Sequence, residues 1–137
     1  MSFEQITSLT DQQILDLHRL YQAEWWTKDR ELADVRKMLQ GPAIVIAFCD
    51  SSSKRLVAFA RVITDGVYKA LIFDVIATPE ERGKGLGRLL IESILAHPRL
   101  RGVRHFELYC LPELVPFYER WGFTDNLGDL HFLRLAR

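Results

Sequence analysis

The sequence predicts an α/β fold, a mixed sheet with helices packed against it, in one domain spanning residues 1–137. Three observations carry this. Three extended apolar runs follow one another with hairpin-like breaks. A strand-like run then feeds a glycine-rich turn that opens a helix. Strands and helices alternate through the second half, with no linker, repeat or low-complexity segment between them.

Phe3 to Thr7 alternates and reads as a first strand. Thr10 caps a helix, with Gln13 as its capping-box partner, and Ile14, Leu17 and Tyr21 follow at helical spacing. Glu24-Trp25-Trp26-Thr27 interrupts the pattern. A second helix over Asp29 to Leu39 carries Leu32, Val35 and Leu39 and stops at Gly41-Pro42. The extended runs are Ala43 to Cys49, Leu56 to Ile63 and Ala70 to Ala77. Asp50-Ser51-Ser52-Ser53 and Thr64-Asp65-Gly66 separate them. Gly83 to Gly87 opens a helix through Leu89, Leu90, Ile94 and Leu95. Val103 to Cys110 is a further strand. A short helix from about Pro112 to Trp121 ends at Gly122, a helix-stopping glycine. Leu130 to Leu135 reads as a closing strand.

Composition narrows the function. Hydrophobic residues are 48% of the chain, enough for a core without staples, and 18 basic residues balance 18 acidic ones. A nucleic-acid binder usually carries a basic excess, so no nucleic-acid partner is expected. Cys49 and Cys110 lie in apolar runs and read as small buried hydrophobes, with neither zinc-site spacing nor a disulfide framework, and no metal is expected. MSFEQITSLT lacks the charge and apolar order of a signal peptide, and no apolar stretch reaches spanning length. The expected setting is the cytoplasm, with no membrane partner.

The most informative segment runs from Asp74 to Arg88. Val75, Ile76 and Ala77 end a strand, and Arg82-Gly83-Lys84-Gly85-Leu86-Gly87-Arg88 turns into a helix. Glycines let the backbone approach a ligand closely, and the first amides of the helix point at an anion. Arg82, Lys84 and Arg88 add positive charge. A phosphate or pyrophosphate is the expected ligand. Lys84 is followed by Gly85 rather than Ser or Thr, which disfavours a nucleotide-hydrolysing loop. The spacing of Gly83, Gly85 and Gly87 is wrong for a dinucleotide fold.

Arg82, Gly85 and Gly87, with Val75-Ile76-Ala77 and Pro79 before them, resemble the signature of the GNAT acetyltransferase superfamily. Leu114 to Phe123 resembles its C-terminal motif, especially the version found in serotonin N-acetyltransferase. The two motifs come in family order and cover about the last half of the chain. The resemblance implies a mainly antiparallel sheet flanked by helices, with acetyl-CoA as co-substrate in a V-shaped opening. It implies that the backbone of Val75, Ile76 and Ala77 holds the pantetheine arm and polarises the thioester carbonyl. It implies that the amides from Gly83 to Arg88 hold the pyrophosphate, with Arg82 at the family's Arg or Gln position. Tyr118 matches the tyrosine that protonates the departing thiolate. The positions of the cleft histidines of serotonin N-acetyltransferase fall on Leu71 and Phe73, so that relay is absent.

The chemistry is coherent on its own terms. A neutral amine attacks a thioester, and the thiolate leaves more easily with a proton donor. A phenol of pKa ~10 is protonated at neutral pH and can donate. Direct attack needs no nucleophilic cysteine. For the base, Asp74 shares a face with Ile72 and Ile76 by period two, where desolvation would raise its pKa; an ion pair with Arg61 is the rival reading. Glu107, sharing a face with His105 and Tyr109, is the second candidate. His18, His97 and His131 carry no assignment.

In the resembling fold the segment between the first two helices lies over the acceptor side. Here Trp25 or Trp26 would offer an aromatic face, Glu24 and Asp29 would attract an ammonium, and Tyr109 would add a second wall. The bland rival is that the tryptophans simply pack on the helices and the sheet edge. The acceptor expected is a small-molecule amine with an apolar or aromatic body. A protein or peptide acceptor and a non-catalytic acyl-CoA-binding module are the alternatives. A homodimer is compatible with all three.

Overall fold

The computed structural model describes residues 2–137. Its elements in chain order are β1 (Phe3–Ile6), α1 (Asp11–Gln22), α2 (Leu32–Leu39), β2 (Ile44–Asp50), β3 (Leu56–Thr64), β4 (Lys69–Ala77), α3 (Leu86–Ala96), β5 (His105–Glu107) and α4 (Val115–Glu119). Short 3-10 turns precede α3 and α4 and follow α3. The strands form one sheet in the order β1-β2-β3-β4-β5. The first four are antiparallel, and β5 joins β4 in parallel. The sheet is therefore mixed.

Local chemistry accounts for the starts. The Thr10 side chain accepts from the Gln13 amide, and the Gln13 side chain caps the Thr10 amide, so α1 begins on a reciprocal capping box. Each sheet face buries its own core. On one face Leu86, Leu90, Ile91 and Ile94 of α3 pack on Ile46, Ala60, Val62 and Ile72. On the other, Leu17, Leu20 and Tyr21 of α1 and Val35 of α2 pack on Ala47, Phe59 and Ile76.

Four departures from the sequence reading matter. First, α2 starts at Leu32 rather than Asp29: the backbone is extended at the N-cap Glu31, and Arg30 just before it reaches Asp74. Second, β5 is three residues long. It pairs with β4 only from Lys69↔His105 to Leu71↔Glu107. From Ile72 to Ala77 the β4 edge has no β5 partner, and the sheet opens there as a V. Third, Leu130 to Leu135 forms no strand. Leu130, Leu133 and Leu135 stay exposed, while Phe132 packs its ring on Tyr109 at 4.8 Å. Fourth, β4 carries a bulge. The β3–β4 register runs Arg61↔Phe73 and then Phe59↔Ile76, so two β4 residues face one β3 residue. Asp74 takes φ 58° at the bulge. The alternation flips across it: Ile72 faces the α3 core and Ile76 the α1 core.

Candidate active site

The bulge decides what Asp74 can do. Its carboxylate is not set between two isoleucines. Arg30 donates to both oxygens, at 2.7 and 3.0 Å, Arg61 Nε donates at 2.7 Å, and the Tyr21 hydroxyl donates at 3.0 Å. Burial opposes ionisation, but the hydrogen bonds from Arg30 and Arg61 outweigh it and hold the carboxyl below its ordinary value. This corrects the expectation of a carboxylate raised toward base strength: the proton affinity is shifted the wrong way. Tyr21, buried beside the same carboxylate, is pushed well above the usual phenol range, so it remains a donor.

The glycine-rich turn forms a cleft of about 400 Å³ at the start of α3, lined by Ala77, Glu81 to Gly83, Gly85 to Arg88, Phe117 and Arg120. Gly83 and Gly85 have φ 87° and 79°, the left-handed region that glycine enters freely. Gly85 is the N-cap of α3 and offers no side chain to the first amides, which leaves them open to a ligand. Gly87 has a different reason to be glycine. A Cβ there would sit 3.1 Å from the Phe117 ring, so its bareness seats α4 on α3.

The cations of the turn hold carboxylates. Arg82 reaches Glu24 at 2.6 Å and Lys84 reaches Glu81 at 2.6 Å, while Arg88 lies 3.3 Å from Glu92. Glu24, expected to attract an acceptor ammonium, pairs with Arg82 of the turn in this structure. Arg120 lines the cleft with its guanidinium over the Phe117 ring at 4.7 Å.

Tyr118 is 8% exposed, near the end of α4 and next in the chain to Phe117, which lines this cleft. Its ring meets Phe117 and Phe123 edge-on, at 5.0 and 5.9 Å. Burial, with a smaller effect from Cys110, pushes its hydroxyl up to about 12. It stays protonated throughout the neutral range. Glu107 lies on the last paired rung of β5, half-exposed and 3.1 Å from Lys69. Tyr109 is 55% exposed and stands edge-on to Phe73 at 6.5 Å. Trp25 and Trp26 are 67% and 41% exposed, so neither indole is a core residue. The segment carrying them is anchored by Thr27, whose hydroxyl donates to the Tyr21 carbonyl at 2.8 Å.

Sequence reasoning missed three participants. Arg120 was visible as a cation at the end of the C-terminal motif. Tyr21 and Arg30 gave no signal, being 53 and 44 residues from the carboxylate they hold. Among the described residues no helix is long and apolar enough to cross a membrane.

Comparison with known proteins bears on this arrangement. Residues 12–123 match the family model of the acetyltransferase (GNAT) family. The chain is 45% identical over 87 residues to serotonin N-acetyltransferase 2, chloroplastic, of Oryza sativa subsp. japonica, covering 61% of this chain and 44% of that protein. It is 31% identical over 115 residues to the uncharacterised N-acetyltransferase ycf52 of Porphyra purpurea, covering 82% and 66%. The chain thus spans between 44% and 66% of the length of these relatives. A solved GNAT-family chain from Xanthomonas campestris pv. campestris superposes with TM-score 0.80 at 35% identity, over 93% of this chain and 87% of that one.

Proposed function

The chain belongs to the GNAT acetyltransferase family, and we propose that residues 1–137 act as one catalytic domain that transfers acetyl from acetyl-CoA to a small-molecule amine. The observation that carries the proposal is the uncapped start of α3, in a cleft lined by Arg82, Arg88, Phe117 and Arg120, with the protonated Tyr118 next in the chain to Phe117. The residues fit the co-substrate. Open amides and the Arg120 guanidinium suit a pyrophosphate, to which Arg82 and Arg88 would turn by exchanging Glu24 and Glu92, and the unpaired β4 edge at Val75, Ile76 and Ala77 suits an extended pantetheine arm. Lys84 adds charge at the rim.

In the reaction a C–N bond forms and the thioester C–S bond breaks. Tyr118 donates its proton to the departing thiolate, and a β4 amide polarises the carbonyl. The amine nitrogen gives up one proton; Glu107, on the open side, is the candidate acceptor now that Asp74 is held by two arginines. The acceptor's body rests on Tyr109 and on Trp25 or Trp26. The openness of this side, with Tyr109 and Trp25 more than half exposed, favours a protein or peptide acceptor as the second reading. The compartment proposed is the cytoplasm, or the chloroplast by analogy with the rice relative's name. A fluorescent fusion separates the two.

The experiment is acetyl-CoA thiol release with and without amines. Amine-dependent release supports catalysis. Tight acetyl-CoA binding without release would indicate a non-catalytic acyl-CoA-binding module.

A further inference from the structure

The face of the sheet that carries Asp74 is only half covered. Pairs directly opposite share a face, so Arg61 and Phe73, and Ile63 and Leu71, line the same surface. Helices α1 and α2 cover its Phe59 and Ile76 end. The other end lies open, with Ile63 and Leu71 41% and 40% exposed. Across the opening of the V, Phe73 meets Tyr109 at 6.5 Å and Tyr109 meets Phe132 at 4.8 Å, giving a continuous aromatic floor.

Two guanidiniums border that floor. Arg61 lies over the Phe73 ring at 4.7 Å, and Arg134 lies over Tyr109 at 5.4 Å and Phe132 at 5.6 Å. Charge around Arg61 is unbalanced. Arg30 places a two-pronged fork on both oxygens of Asp74, while Arg61 reaches it through Nε alone. One carboxylate therefore faces two guanidiniums. Among the described residues the Nη groups of Arg61 have no protein acceptor, and Arg134 forms no ion pair. Glu107 does not redress the balance, since it pairs with Lys69 on the adjacent strand and not with Arg61. Asp74 also adjoins Val75 in the chain, which puts Arg61 beside the rung proposed to hold the thioester.

Resting on the acetyltransferase reading above, we propose that this floor selects an amine with an apolar or aromatic body and a carboxylate close to the nitrogen, and that Arg61 reads the carboxylate. A guanidinium edge in a half-dry site makes charge-assisted bonds to a carboxylate, and an aromatic floor accepts the body. Arg134 adds field at the rim. A plain arylalkylamine lacks the group that Arg61 is free to bind.

The test compares acceptors that differ only in an α-carboxylate: phenylalanine against phenethylamine, and tryptophan against tryptamine. Each is acetylated with acetyl-CoA by wild type, Arg61→Gln and Arg61→Lys, alongside acidic and neutral peptides. The readout is the ratio of kcat/KM within each pair, which is insensitive to the fraction of folded enzyme. Intrinsic differences in amine basicity cancel when the ratio is compared between variants. The ratio should fall by at least about tenfold from wild type to Arg61→Gln, the loss of one charge-assisted contact, and less in Arg61→Lys. An unchanged ratio overturns the proposal. So does turnover of peptides with neither small-molecule class accepted, which would make the floor a peptide site. Acetyl-CoA binding without amine-dependent thiol release from any acceptor refutes the underlying acetyltransferase reading, and this inference with it.

Discussion

Replacing Asp74 with Asn separates a structural carboxylate from a catalytic one. The substitution keeps the shape and one acceptor oxygen but removes the charge shared by Arg30 and Arg61. Their side chains are 31% and 16% exposed, so the two cations left facing each other are partly screened. Breaking a buried ion pair costs about 3–5 kcal/mol, and this exposure places the loss at about 3 kcal/mol. Unfolding entropy of about 2.1 cal/mol/K per residue gives about 0.29 kcal/mol/K for this chain, so Tm should fall by about 10 °C. The pH dependence has a definite sign. A carboxyl lowered in the folded state stabilises above its unfolded pKa, ~3.9, and loses that contribution as pH falls through its lowered folded value. The Tm gap between wild type and Asp74→Asn should thus be constant from about pH 5 to 8 and close only in strong acid. Assayed well below its Tm with a carboxylate-free amine, the variant should lose less than about tenfold in kcat. Differential scanning calorimetry and thiol release on one preparation decide the matter. An unmoved Tm with kcat down by about 10²–10⁴, the size of a lost general base, refutes the reasoning and restores Asp74 as the base.

Three further outcomes follow from the same geometry. Gly85→Val forces a β-branched residue into φ 79°, at about 1–2 kcal/mol, and crowds the open amides, so a folded variant should bind acetyl-CoA at least about tenfold more weakly by calorimetry; equal affinity removes the cradle assignment. With Tyr118 near 12, kcat/KM should climb with pH as the acceptor amine deprotonates and show no fall by about pH 10, since the acid form is lost only above that value; a decline centred near 8 or 9 points to another donor. Trp25→Ala and Trp26→Ala, at exposed positions, should shift stability by no more than about 0.5 kcal/mol while at least one raises acceptor KM and leaves acetyl-CoA affinity alone; unchanged acceptor kinetics in both would leave the indoles as surface residues.

What could be read from the residues followed the range of the interactions. The Thr10 and Gln13 capping box and the glycine-rich entry to α3 are local, written in neighbouring residues, and the structure has them where the pattern put them. Gly87 was legible as a necessary glycine but not for its reason, since Phe117 meets it from another helix. The period-two reading of Ile72, Asp74 and Ile76 failed because alternation assumes an unbroken ladder, and one extra residue at the bulge reverses every later side chain. The partners of Asp74 divide the same way. Arg61, already named as an ion-pair rival, lies on the adjacent strand of a hairpin. Arg30 sits in the helix break, and Tyr21 was read only as an apolar helix position, so tertiary folding alone unites them. Leu130 to Leu135 has a strand's composition but no ladder to join, because β5 ends at Glu107.

The central claim is acetyl transfer in which Tyr118 protonates the leaving thiolate, and Tyr118→Phe tests it most directly. The substitution keeps the ring that packs on Phe117 and Phe123 and removes only the hydroxyl. Amine-dependent thiol release and calorimetric acetyl-CoA affinity are measured on the same preparation. The account predicts a fall in kcat of roughly 10²–10⁴ with the affinity for acetyl-CoA nearly unchanged. A kcat equal to that of wild type would contradict it and leave Tyr118 a packing residue.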